Sequence, residues 1–169
     1  MLSDLPNIFS GTHYHSLDEK GRLTLPGQFK KVMEKADQGD WFYLGFMPGT
    51  RHLNLYTKDR WKKAVEEWSD PQRFSSTQEF MTAQRLFFAN IEKVTLDKAG
   101  RILIPQHQRE RCNIEREVVI LGLFDKIEIW DPSLRKLEED EEQKLSKSLF
   151  SEDRQKDGSE APNLRLPAC

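Results

Sequence analysis

The sequence predicts an α+β protein built from two copies of one strand-turn-strand-helix unit. Three observations carry that reading. The nonapeptide Asp18-Glu19-Lys20-Gly21-Arg22-Leu23-Thr24-Leu25-Pro26 returns as Asp97-Lys98-Ala99-Gly100-Arg101-Ile102-Leu103-Ile104-Pro105. Asp, Gly, Arg and Pro recur at the same internal spacing in both, and an internal repeat constrains architecture before any other argument does. Short alternating apolar runs then flank each copy, with helical periodicity between them.

The first copy explains itself residue by residue. His13-Tyr14-His15-Ser16-Leu17 reads as a strand and Asp18–Gly21 as a turn, in which the Asp side chain can accept turn amides and Gly21 supplies a positive φ. Arg22-Leu23-Thr24-Leu25 alternates like a half-buried strand, so the two strands are expected to form a hairpin closed by a glycine bulge. Pro26 suits the first turn of a helix. Phe29, Val32, Met33 and Ala36 give that helix one apolar face. Strands 41–46 and 52–56 follow, around a turn at Pro48-Gly49.

The second copy repeats the plan: strand 91–96, turn 97–100, strand 101–104, a short helix from Pro105, strand 117–123, a turn at 124–126 and strand 127–130. Gly45 matches Gly122, Leu53 and Leu55 match Ile127 and Ile129, and Met33 matches Cys112. Two helices are expected between the copies. Thr57 caps one that carries Trp61, Val65 and Trp68, and Asp70-Pro71 ends it. Ser76-Thr77-Gln78-Glu79 is a capping box opening the other, with Phe80, Gln84, Phe87 and Phe88 on one side. A last helix starts at Asp131-Pro132 and runs into the acidic run Glu138–Glu142, read as a solvated face. The expected organisation is an N-terminal extension (1–11), a first repeat (12–59), connecting helices (60–90), a second repeat (91–134), a C-terminal helix (135–146) and a polar tail (147–169) read as disordered.

Composition limits the function classes. No apolar run approaches the ~18–20 residues of a membrane span, and Met1–Pro6 lacks the basic start and apolar core of a signal peptide. Two cysteines, Cys112 and Cys169, make no disulfide framework, so a reducing cytoplasmic location is expected. The 169-residue chain has a net charge of −2. Residues 133–169 carry 7 basic and 9 acidic side chains, which leaves 19 of each sign in residues 1–132. Any nucleic-acid contact must therefore rest on placed cations rather than on overall charge.

The site candidates follow from the twinned turns. Arg22 and Arg101 stand at equivalent points, the projecting tips of the two expected hairpins, and arginine pairs bidentately with guanine in the major groove, which a two-stranded ribbon can enter, at ~1–3 kcal/mol of discrimination. Lys20 and Lys98 suit phosphate contacts. Asp18, Gly21, Asp97 and Gly100 build the turns and orient the arginines. The blander reading makes Asp18–Arg22 and Asp97–Arg101 internal salt bridges, and the two readings are compatible. His13 and His15 share a strand face without a second pair to complete a metal site. Cys112 lacks a base and an oxyanion site. No phosphate loop, dinucleotide fingerprint or nucleophile elbow is present. No catalytic residue, metal or cofactor is expected.

The segment from Phe9 to Pro26, the second signature Asp97–Pro105 and the ending Glu128-Ile129-Trp130-Asp131 together resemble the bacterial MraZ family over roughly residues 8–145. The resemblance implies two tandem AbrB-like, swapped-hairpin β-barrel repeats with flanking and connecting helices. It implies a non-enzymatic, nucleoid-associated transcriptional regulator that assembles into homo-oligomeric rings. The implied partner is double-stranded DNA, at promoter direct repeats upstream of its own division and cell-wall operon. The family arginines map onto Arg22 and Arg101, and its aspartates onto Asp18 and Asp97. An antitoxin-like protein-binding module of the same fold is the alternative. Two departures carry expectations. Ser10 replaces an arginine usual in the family, so a basic contact near the hairpin base is expected to be missing. Gln108 stands where the first copy has Phe29 and the family an apolar residue, so its helix is expected to be less well anchored.

Overall fold

The structure, a computed structural model, describes residues 8–47 and 49–149. Of the expected tail (147–169) residues 147–149 belong to the C-terminal helix, and of the expected extension (1–11) residues 9–11 belong to the first strand; the rest of the tail, Cys169 included, residues 1–7 and Pro48 of the expected turn lie outside the described residues. The elements in chain order are β1 (Phe9–Ser16), β2 (Arg22–Thr24), α1 (Gly27–Lys35), β3 (Trp41–Phe46), β4 (His52–Tyr56), α2 (Lys58–Trp68), α3 (Thr77–Phe88), β5 (Ile91–Thr95), β6 (Arg101–Leu103), α4 (Gln106–Arg111), β7 (Glu117–Phe124), β8 (Lys126–Trp130) and α5 (Pro132–Leu149).

The local signals act as the sequence reads. Thr57 accepts the Arg60 amide at 3.2 Å and opens α2. Asp70 accepts the Gln72 amide, starting a 3₁₀ turn at Pro71–Arg73. Ser76 accepts the Glu79 amide at 3.1 Å, and the Glu79 carboxylate reaches back to the Ser75 amide at 2.8 Å. Each bond satisfies a donor that a helix start leaves orphaned. Pro26 and Pro105 stand just before α1 and α4, at the N-cap rather than inside the first turn. The C-terminal helix runs to Leu149. Its acidic run is tied by Arg135 to Glu139 and Glu142, and by Lys136 to Asp140.

Strand pairing departs from the local expectation. The strands flanking the first turn do not form an extended hairpin: one bridge, Leu17 to Leu23, joins them. Instead β1 pairs antiparallel with β7 of the second repeat, from Phe9–Phe124 to Ser16–Glu117, which is why it begins at Phe9 and not at His13. In the reciprocal exchange, β5 of the second repeat pairs with β3 of the first. The result is a six-stranded antiparallel sheet in the order β1-β7-β8-β4-β3-β5. A separate ribbon pairs β2 with β6. Hydrogen bonding does not close these described strands into a single barrel; the ribbon meets the sheet through the Leu17–Leu23 bridge and through side chains of the shared core.

The exchange explains the matched glycines. A Cβ at Gly122 would sit 2.3 Å from the Ser10 amide nitrogen, and one at Gly45 would sit 2.8 Å from the Asn90 carbonyl oxygen. Each glycine thus lies where a strand of the other repeat crosses too closely for a side chain. One apolar core joins both copies, with Leu23, Leu25, Phe29, Leu44 and Leu55 packed among Ile102, Ile104, Ile120 and Ile129. The aromatic residues of α2 serve packing as well: Trp61 and Trp68 stack on Phe87 of α3, with ring centroids 5.5 and 4.9 Å apart. Burying these faces is the main source of stability for short helices.

Candidate nucleic-acid interface

The two signature turns are built alike. Asp18 Oδ1 accepts the backbone amides of Lys20 and Arg22 at 2.9 and 3.0 Å. Asp97 Oδ1 accepts those of Ala99 and Arg101, both at 2.9 Å. Gly21 and Gly100 close the turns at φ +78° and +75°, a region that side chains disfavour. The second carboxylate oxygen of each aspartate takes the Nε of its own arginine, at 2.6 Å for Arg22 and 2.8 Å for Arg101. The internal salt bridges therefore form. They engage the Nε edge of each guanidinium and leave both Nη groups without a hydrogen bond among the described residues.

These contacts depress both carboxyl groups. The backbone amide of Arg22 does most to hold Asp18 below its ordinary value, partly offset by desolvation, and Arg101 does the same for Asp97. Both aspartates are consequently anionic wherever the arginines would meet DNA.

Arginine placement differs from a projecting hairpin tip. In the ribbon, Arg22 lies opposite Leu103 and Thr24 opposite Arg101, while Leu23 and Ile102 face the core. Two further bonds extend the pairing, from the Leu25 amide to the Gly100 carbonyl and from the Ile104 amide to the Gly21 carbonyl, both at 3.0 Å. The face-forming ribbon takes one strand from each repeat. It brings Arg22 and Arg101 together on one outward surface as a diagonal pair, with side chains 32% and 31% exposed. Lys20 and Lys98 are exposed at its two ends.

Two basic residues escaped the sequence reading. Arg109, on α4, packs its guanidinium against Gly21 of the first repeat, within 3.2 Å of where a Cβ would be. Its Nε donates to the Ile104 carbonyl. Lys30, on α1, lines a hollow with Asp97 and Lys98 of the second repeat. Each stands four residues after the signature proline, and that shared offset is the signal that could have found both. Each basic side chain flanks the turn of the opposite repeat, which no local pattern announces.

Other candidates have structural settings. His13 Nε2 lies 3.0 Å from Gln28 Nε2 and 3.2 Å from the Ser10 carbonyl, with its ring edge-on to Phe29. Among the described residues, no group of three or more His, Cys, Asp or Glu could hold a metal ion. Cys112 is fully buried, and burial pushes its thiol up to about 12. No described helix is long and apolar enough to cross a membrane. Gln108 corrects its expectation: it is buried, and its amide donates to the Asn90 carbonyl at 2.8 Å, so a hydrogen bond anchors α4 where Phe29 anchors α1 by apolar contact.

The sequence comparisons agree with the twofold construction. The family described as "MraZ protein, putative antitoxin-like" matches the chain twice, over residues 8–85 and 87–156. A protein of Dictyoglomus thermophilum named "Transcriptional regulator MraZ" is 42% identical over 126 residues, 73% of this chain and 79% of the relative. A protein of the same name from Dictyoglomus turgidum is 41% identical over the same shares. With both signatures present and both copies matched, this chain belongs to the MraZ family.

Proposed function

We propose that this chain is a DNA-binding transcriptional regulator that reads its operator through the β2/β6 ribbon. The observation that supports this most is the diagonal pair Arg22 and Arg101 on one ribbon face, each held at Nε by a hydrogen bond to its own aspartate, with no hydrogen bond to its Nη groups among the described residues. That leaves the bidentate edge of each arginine for a guanine, and a two-stranded ribbon fits the major groove. Lys20 and Lys98 take phosphates at the ends of the ribbon. The names of the two relatives support the regulatory role.

In this reading the strand exchange is the AbrB-like swapped-hairpin arrangement, and the protein acts in the cytoplasm on the nucleoid. Its target is a set of direct repeats upstream of its own division and cell-wall operon. One ribbon makes few contacts, and non-specific binding alone reaches only ~10⁻⁴–10⁻⁶ M. A homo-oligomeric ring multiplies such contacts, adding roughly 10²–10⁴ in avidity. Subunits related head to tail by the ring rotation fit direct rather than inverted repeats. The words "antitoxin-like" in the family description favour a second reading, a protein-binding module, whose mark would be a toxin gene alongside.

A footprint on the protein's own upstream region at two salt concentrations tests the proposal. Protection of regularly spaced repeats, weakening steeply with salt, is expected. Arg22→Ala should abolish the protection and leave assembly intact by sedimentation. Unchanged affinity in that variant would remove Arg22 from the interface.

A further inference from the structure

The turns at the ends of the ribbon differ, with Glu19 matching Lys98 and Lys20 matching Ala99, but within its paired strands one position differs in chemistry. Arg22 matches Arg101, Leu23 matches Ile102 and Leu25 matches Ile104. Thr24, however, matches Leu103. Both lie on the outward face, Thr24 opposite Arg101 and Leu103 opposite Arg22. Leu103 is 54% exposed, whereas Leu23 and Ile102 beside it are fully buried. A single exposed leucine is ordinary on a protein surface. Its position between two outward arginines, on the face that meets the bases, is what calls for a role.

We propose, resting on the DNA-binding reading above, that Leu103 is a specificity residue that packs against the C5-methyl of a thymine, and that the Thr24/Leu103 difference gives the ribbon a direction. A leucine in the major groove can gain only from the thymine methyl, whereas the shorter threonine can touch a methyl with its own and also offers a hydroxyl as donor or acceptor to any base. A twofold-symmetric ribbon would present the same groups to both halves of its site and favour a palindrome. With Leu103 on one side and Thr24 on the other, the two arginines read guanines in unlike surroundings, and each subunit's site acquires the polarity that a direct repeat requires. Residues directly opposite in a ribbon have Cβ atoms about 4.5–5.5 Å apart. Base pairs rise about 3.4 Å. The methyl under Leu103 therefore lies within two base pairs of the guanine under Arg22.

The test selects binding sites from random duplexes with the full chain, then replaces each thymine of the selected site singly by uracil, which removes only the methyl. One thymine, within two base pairs of a guanine whose contact is lost in Arg22→Ala, should weaken binding about fourfold when replaced. Leu103→Ser, which has no side-chain methyl, should bind thymine and uracil sites alike. Thr24→Leu should gain a second methyl-sensitive position on the other side of the site. A selected site without thymine in that window overturns the proposal. So does an equal methyl sensitivity in Leu103→Ser. So does loss of assembly in Leu103→Ser by sedimentation, which would make the leucine a subunit contact. Failure to select any sequence would instead overturn the DNA-binding reading itself.

Discussion

The Arg101 guanidinium of the second repeat lies 3.8 Å from the carboxylate of Asp18 in the first. Asp18 thus touches both arginines of the ribbon, while Asp97 has an ion pair with Arg101. The two aspartates occupy the same place in the repeat and have different reach in the fold.

That asymmetry ranks two conservative substitutions. Asp18→Asn should reduce the ratio of specific to non-specific DNA binding by about tenfold, and Asp97→Asn by less, because the first loosens two guanidinium groups and the second one. Each removes a negative charge beside the arginines, so non-specific affinity should rise in both. Titration of operator and scrambled duplexes at matched salt measures the ratio. Equal effects would mean that the Asp18–Arg101 contact has no part in positioning.

The strand crossings predict a second ranking. Gly122→Ala places a Cβ among three backbone atoms of Phe9 and Ser10, whereas at Gly45 the nearest atom is the end of the Ile91 side chain and one backbone atom, the Asn90 carbonyl oxygen, is close at 2.8 Å. Backbone cannot yield as a side chain can. Gly122→Ala should cost about 3 kcal/mol and Gly45→Ala about 1–2 kcal/mol, within the usual span for overpacking. Urea unfolding midpoints would show the order.

Acid stability depends on Glu128. Burial alone would raise its carboxyl, but His52, whose Nε2 is 3.3 Å away, and Lys126, at 3.0 Å, outweigh burial and bring it to about 2. The unfolded chain takes up this proton near the ordinary value of 4.5. Between those values the unfolded state binds more protons than the folded one, so stability falls as pH falls. The contribution is complete above about 4.5 and lost by about 2. Thermal midpoints measured from neutral pH downward should decline over this window in the wild type and more shallowly in Glu128→Gln.

Gln108 gives a fourth prediction. Gln108→Ala deletes the donor to the part-buried Asn90 carbonyl and leaves a hole where the buried Gln108 side chain packs under α4. A loss of about 2 kcal/mol is expected in chemical unfolding, from the unpaired acceptor and the cavity together. No change would mean that α4 is held by its apolar contacts alone.

How much of this was legible in the sequence follows from the range of each interaction. The turn at Asp18–Arg22 could be read because all its bonds fall within five consecutive residues. The caps at Thr57 and Ser76 were legible for the same reason. Gly45 and Gly122 could be matched, but not explained, since the backbone they admit belongs to the other copy. Arg109 was missed because its neighbour Gly21 is distant in the chain. Gln108 was misjudged because the carbonyl that satisfies it belongs to Asn90, outside the pattern of its own helix.

The sequence by itself determined the repeat, the two aspartate-glycine-arginine turns and the helix starts, since each is set by sterics and hydrogen bonds among neighbours. Tertiary structure decided which strands pair. The apolar alternation of Arg22–Leu25 satisfies a hairpin with its own first strand and a ribbon with Arg101–Ile104 equally well, because alternation specifies a buried face and not a partner. Packing both repeats around one core selected the ribbon. That choice placed Arg22 beside Leu103, and Asp18 within reach of Arg101.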